Sequence, residues 1–199
     1  MKHIYLYIIF FFLSVPMLPC AAKDLSGCNL VITDEKIEGG KKAVKAVFVL
    51  KAEPEQVYYI LRDVERFTEF MPGSAEVEIL EKDTDYQVVK FSGKRGLLSG
   101  DVIMKRNIDD NRRRIEWNLV DGPPREVSGY WYVEKSPNSE SETVVHYLNY
   151  IDAGTLIPGF LVRKYIHSDI KKMVPNIIKR VESVGAWMSD DYLKKINKE

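Results

Sequence analysis

Few residues in this chain have the type and spacing to run a reaction. His146, Tyr147 and Tyr150 fall in one largely apolar run, and Glu116 and Arg125 lie in the segments just before it. These are acid–base groups: an imidazole that titrates near neutral pH, a carboxylate that takes a proton, and phenol or guanidinium donors. Nothing in the spacing selects among them, so no catalytic residue is assigned. Inside an apolar strand His146 reads more simply as a histidine satisfied within a wall. His3, His146 and His167 lack Cys or His partners at ligand spacing, so no metal is expected. No nucleophile elbow, P-loop or dinucleotide-binding glycine pattern occurs, and no cofactor is expected.

A second set of residues offers apolar surface instead. Phe48, Val89, Phe91, Met104, Ile115, Trp117 and Trp131 sit in strand-like runs, while Ile166, Ile170, Met173, Val174 and Ile177 recur at helical spacing. Where two such surfaces meet fully they make a core. Where they do not, they leave an apolar cavity of the kind that takes a lipid or polycyclic molecule. These twelve positions are the candidate ligand-binding wall.

The elements that carry them can be read in order. Leu30–Ile37 is a weak strand-like run, with a free N-terminal segment as the alternative. In Ala43–Lys51, Val44, Ala46, Phe48 and Leu50 share one side of a strand. Pro54 opens a helix carrying Val57, Ile60, Leu61 and Val64, and a second short helix follows over 65–71, ended by Pro72-Gly73. From Glu76 to Asp152 the pattern is strands: Glu76–Glu81, Tyr86–Ser92, Asp101–Ile108, Arg113–Val120, Val127–Lys135 and Thr143–Asp152. Gly93–Gly100, with three glycines, reads as a bulge or loop. The connections are hairpin-length, so the sheet is antiparallel. From Pro158 to about Ser189 runs one long amphipathic helix, with Pro175 inside it. The fold class is therefore α+β: a curved antiparallel sheet of about six or seven strands around a long C-terminal helix, with two short helices after the first strand.

Length and charge bound the rest. The chain has 199 residues, with 29 Lys+Arg against 29 Asp+Glu. A neutral balance argues against nucleic acid as a partner. Lys2, the apolar run Ile4–Val15 and the small pair Ala21-Ala22 have the pattern of a secretory signal peptide, which predicts a periplasmic or secreted protein. Cys20 raises a lipoprotein alternative, disfavoured because Pro19 stands where a lipobox has a small residue. Cleavage after Ala22 leaves Cys28 alone, which excludes an internal disulfide framework. The expected organisation is residues 1–22 as signal, 23–43 as extension, 44–189 as one domain and 190–199 as tail. A monomer is expected. Lys90, Lys94, Arg95, Lys105, Arg106 and Arg112, Arg113 and Arg114 fall on consecutive strands. Of these, Lys105, Arg106 and Arg112–Arg114 are the candidates for transient contact with an anionic membrane.

Three stretches carry a resemblance to known proteins. Ala52-Glu53-Pro54-Glu55-Gln56-Val57 through Arg66-Phe67 and Phe70-Met71-Pro72-Gly73 is similar to the helix pair of bacterial cyclase/dehydrase-type and coenzyme Q-binding members of the START-like superfamily. Gly129-Tyr130-Trp131-Tyr132-Val133 with Thr143-Val144-Val145-His146-Tyr147 resembles that superfamily's paired last strands, and Ile157-Pro158-Gly159-Phe160-Leu161 its terminal-helix start. The resemblance, which extends to the Bet v 1 allergens and lipid-transfer START domains, covers roughly Val44 to Val184 and implies a helix-grip fold. It implies a carrier of a lipid or other hydrophobic small molecule, or a cyclase or dehydrase-type enzyme on an aromatic or isoprenoid substrate; an interaction module with a filled core is the third reading. An export signal counts against quinone as the ligand.

Overall fold

The computed structural model describes residues 29–73, 76–95, 98–155 and 157–183. The signal segment 1–22, Cys20, Cys28, the expected tail 190–199 and the end of the terminal helix beyond 183 lie outside the described residues.

The strands are β1 (Val31–Lys36), β2 (Lys42–Leu50), β3 (Glu76–Lys82), β4 (Tyr86–Ser92), β5 (Lys94–Arg95), β6 (Leu98–Ser99), β7 (Val102–Asp109), β8 (Arg114–Asp121), β9 (Glu126–Lys135) and β10 (Thr143–Asp152). The helices are α1 (Pro54–Arg62), α2 (Phe67–Phe70) and α3 (Gly159–Glu182), and a single 3₁₀ turn, Val64–Arg66, joins α1 to α2. Eight strands form one antiparallel sheet in the order β1-β2-β10-β9-β8-β7-β4-β3. Apart from the β5–β6 pair, the strands from β3 to β10 that follow one another in sequence are neighbours in space, and β10 then pairs with β2.

Two details differ from the reading of the sequence. Val31–Lys36 is not free: it pairs with β2 from Val31↔Val47 to Lys36↔Lys42 and becomes an edge strand. Its signal was weak because an edge strand packs little on the core, and Val31 is half exposed. The glycine-bearing stretch after β4 is not a plain loop either. It carries the two-residue pairing of β5 with β6, a separate small hairpin.

Alternation decides which side of each strand is buried. On β2, Val44, Ala46, Phe48 and Leu50 point to the core. So do Val89 and Phe91 on β4, Ile115 and Trp117 on β8, Trp131 and Val133 on β9, and Val145 and Tyr147 on β10. This face is covered by α3, 24 residues long, which runs unbroken across Pro175 and buries Val162, Ile166, Ile170, Met173, Val174, Ile177 and Val181. Their spacing of three or four keeps them on one stripe.

Polar contacts hold α3 at both ends. Near its start, Arg163 Nε and His167 Nε2 donate to the two oxygens of Asp34 on β1, at 2.9 and 2.8 Å. The hydrogen bond from His167, together with Arg163, keeps the Asp34 carboxyl below its usual range despite some burial. Near its end, Asn176 Nδ2 donates to the Phe70 carbonyl at 2.8 Å, Gln56 Nε2 to the Val181 carbonyl at 3.3 Å, and Arg180 pairs with Glu69 at 2.6 Å. The edge strand thus fixes one end of the helix, and α1 and α2 fix the other.

Candidate ligand-binding site

Between α3 and the sheet lies a cavity of about 150 Å³. That is on the order of the engineered apolar voids that admit a benzene ring. Its sheet wall is Phe91, Val102, Met104, Trp117, Val127, Trp131 and Tyr147, and its helix wall is Tyr165, Ile166, Ile170 and Met173, with Phe67 and Met71 beside α2. It occupies the part of the wedge under the middle turns of α3, from Tyr165 to Met173.

The candidate wall residues divide into two groups. Phe91, Met104, Trp117, Trp131, Ile166, Ile170 and Met173 line the cavity. Phe48, Val89, Ile115, Val174 and Ile177 are each fully buried and do not border it, although both groups belong to one continuous core. The division follows α3, whose later turns meet the sheet, α1 and α2 directly, while its earlier turns stand over the aromatic part of the sheet.

That aromatic part is a packed trio. Trp131 and Tyr147 have ring centroids 4.3 Å apart, Trp117 and Tyr147 5.8 Å, and Trp117 and Trp131 6.2 Å. Trp117 lies over Gly129, its neighbour on β9, and its Nε1 donates to Asn149 Oδ1 at 3.4 Å. A side chain at Gly129 would lie 2.5 Å from the Trp117 ring and would also collide with the Leu148 carbonyl. Glycine is required here by close approach rather than by its backbone angles.

Arg106 corrects an expectation. Taken as a membrane-surface residue with Lys105, it is only 3% exposed and lines the cavity. The reason is pleat geometry: consecutive residues on a strand face opposite sides, so Lys105 and Arg106 cannot share a surface. Met104, Arg106 and Ile108 face inward, and Lys105 faces out with its ammonium 4.3 Å from the Tyr86 ring centroid. Inside, the Arg106 guanidinium donates to the carbonyls of Leu61 and Arg62, at 2.8 and 3.2 Å, and to Gln87 Oε1 at 2.7 Å. It therefore closes the C-terminus of α1, whose last carbonyls need donors. It also lies over the Phe67 ring, 5.3 Å from the centroid. Burial pushes its pKa down to about 9.

The remaining basic candidates are at the surface, each with an acidic neighbour. Arg112 pairs with Asp109 at 3.7 Å, Arg113 with Glu55 at 3.4 Å, and Arg114 with Glu116 at 2.6 Å while lying over the Tyr130 ring. The side chains of Lys94 and Arg95 lie outside the described residues.

Of the acid–base candidates, Tyr147 is on the cavity. His146 is on the outer face, where its Nε2 lies 2.8 Å from Glu134 Oε1, and Glu134 also accepts from the Tyr132 hydroxyl at 2.9 Å. Glu116 is exposed and tied to Arg114, and Tyr150 lies beneath the Lys41 ammonium. Among the described residues no group of three His, Cys, Asp or Glu side chains is placed to hold a metal ion.

Besides apolar residues such as Phe67, Met71, Val102, Val127 and Ile151, reading from sequence missed the polar lining residues Arg106, Asn149, Tyr165 and Asp169. Three of them had a usable signal. Arg106 and Asn149 follow Met104 and Tyr147 by two on their strands, and Asp169 follows Ile166 by three on the helix.

A concave antiparallel sheet closed by one long helix over an apolar cavity defines a helix-grip protein. The chain belongs to the polyketide cyclase / dehydrase and lipid transport family, which it matches over residues 50–178. It is similar to the ribosome association toxin RatA of Escherichia coli, 29% identical over 77 residues, which are 39% of this chain and 48% of that protein. The chain thus spans about half the length of the curated relatives it matches. Among solved structures it resembles TTHA0849 from Thermus thermophilus, with 19% identity, a TM-score of 0.62, and coverage of 72% of this chain and 99% of that one. It also resembles a STAR-related lipid transfer protein from Xanthomonas axonopodis, with 18% identity, a TM-score of 0.61, and coverage of 81% and 97%. A third is the Zhui aromatase/cyclase from a Streptomyces species, with 20% identity, a TM-score of 0.54, and coverage of 70% and 90%. At these identities the structural likeness establishes the fold.

Because Trp117 needs the space above residue 129, Gly129→Ala displaces the ring and destabilises the fold by about 1–3 kcal/mol. Urea unfolding with near-ultraviolet circular dichroism measures this. A variant with the parent's midpoint and aromatic spectrum would show that the trio does not depend on that glycine.

Proposed function

We propose that the protein binds and carries a hydrophobic small molecule, a lipid or a compact aromatic compound, in the cavity between the sheet and α3. The observation that carries this reading is the cavity itself. Its wall is Phe91, Met104, Trp117, Trp131, Ile166, Ile170 and Met173, and its volume is about 150 Å³. A filled wedge would leave such residues packed on one another, as Phe48, Ile115 and Ile177 are. Family membership, and the likeness to a protein named for lipid transfer, support the same reading.

Binding is tested by native mass spectrometry of protein purified without detergent. The parent retains a small apolar molecule. Ile166→Trp, which fills the space in front of the sheet, loses it while remaining folded, and Ile170→Arg loses it by placing a charge against the apolar wall. An empty parent that also fails to take up added hydrophobic probes would end the carrier reading.

The second part of the proposal is place. Residues 1–22 have the pattern of an export signal, so the carrier works outside the cytoplasm. N-terminal sequencing of the exported form is expected to start at Lys23. A diacylglyceryl group on Cys20, or a retained Met1, would contradict cleavage after Ala22.

A further inference from the structure

The cavity is apolar except at a few points, and one of them, Arg106, carries its charge almost wholly out of water. Arg106 is the least exposed cationic side chain described, and it stands on the cavity wall. Its hydrogen-bond partners are all neutral: two backbone carbonyls and one side-chain amide oxygen. Among the described residues no carboxylate forms an ion pair with it. The nearest acid with an effect on it, Asp63, acts only through space, and Arg62 opposes it with a like charge.

A buried cation without a counter-ion is costly, and neutral carbonyls offset only part of that cost. Surface arginines here have acidic partners, as Arg112, Arg113, Arg114, Arg163 and Arg180 do. Arg106, the one for which a partner would matter most, has none. Its guanidinium has five N–H donors. Nη1 makes two of the bonds above and Nη2 one, which leaves an N–H on Nε and another on Nη2. Two N–H groups on adjacent nitrogens form the fork that fits the two oxygens of a carboxylate.

Resting on the carrier reading above, we propose that the ligand is an acid: an apolar chain or ring bearing one carboxylate, with the carboxylate bound at Arg106 and the apolar part against Trp117, Trp131 and the α3 side chains. A doubly charged phosphate head, with three oxygens to satisfy, suits two remaining donors less well. The one carboxylate among the described lining residues, Asp169, stands on the α3 wall and forms no ion pair with Arg106. The ligand supplies the missing counter-ion, and the protein supplies a dry place for the chain.

Isothermal titration of the full protein with octanoate, methyl octanoate and octyl phosphate tests this. Octanoate is expected to bind at least tenfold more tightly than its methyl ester, and more tightly than the phosphate. The carboxyl of bound [1-¹³C]octanoate should titrate at lower pH than the free acid, because the charged form is the one held. Arg106→Gln should bring octanoate down to the ester's affinity while the ester still binds, which also shows that the variant has folded. If that variant does not fold, the comparison of acid, ester and phosphate on the parent decides alone. Equal affinity for acid and ester would overturn the acid proposal and leave the carrier reading standing. Tighter phosphate binding would overturn the choice of carboxylate. Binding of none of the three would count against the carrier reading itself and, with it, this proposal.

Discussion

The structure depends on one constraint: the concave face of the sheet must be covered, and α3 is the only described element long enough to cover it. Each large apolar side chain taken from water contributes about 1.5–3 kcal/mol. α3 buries seven residues on one stripe. The ion pairs at its ends involve half-exposed partners such as Asp34 and Glu69, and pairs of that kind contribute about 0–1 kcal/mol each. Apolar burial therefore holds the helix on the sheet. The polar ties to β1, α1 and α2 set where along the sheet it rests.

That division of labour explains the cavity. At the end where α1 and α2 pack, side chains such as Phe48, Val174 and Ile177 close on one another. At the other end Trp117, Trp131 and Tyr147 stack among themselves across β8, β9 and β10, and so occupy the sheet surface without reaching α3 everywhere. Gly129 lets Trp117 approach the sheet closely, and the tie between Asp34 and α3 sets where the start of the helix rests. Arg106 links the two regions, because the same guanidinium that closes α1 also borders the open space.

The fold was largely legible because the antiparallel meander and the helix stripe are periodic, and periodicity survives in sequence. Val44, Ala46 and Phe48 alternate, and Ile166, Ile170 and Met173 recur at helical spacing. Leu30–Ile37 read only as a weak strand, with a free segment as the alternative, because an edge strand has little core to face. The wall was half legible for a different reason. Period assigns a residue to a face, but not to a position along it, so Ile177 and Ile170 looked equivalent although only Ile170 borders the cavity. Arg106 was misplaced by grouping charges along the chain instead of by face. A lysine and an arginine in succession on one strand cannot both be at the surface of a sheet whose other side is buried.

The most direct test of this account is where a bound chain lies. Isotope-filtered NOE spectra of methyl-labelled protein with unlabelled octanoate place the ligand protons relative to individual side chains. The account predicts cross-peaks to the methyl groups of Ile166, Ile170 and Met173 and to the indoles of Trp117 and Trp131, with none to Val174 or Ile177. Cross-peaks confined to outer-face residues such as Tyr130, Tyr132 and Val144 would contradict it.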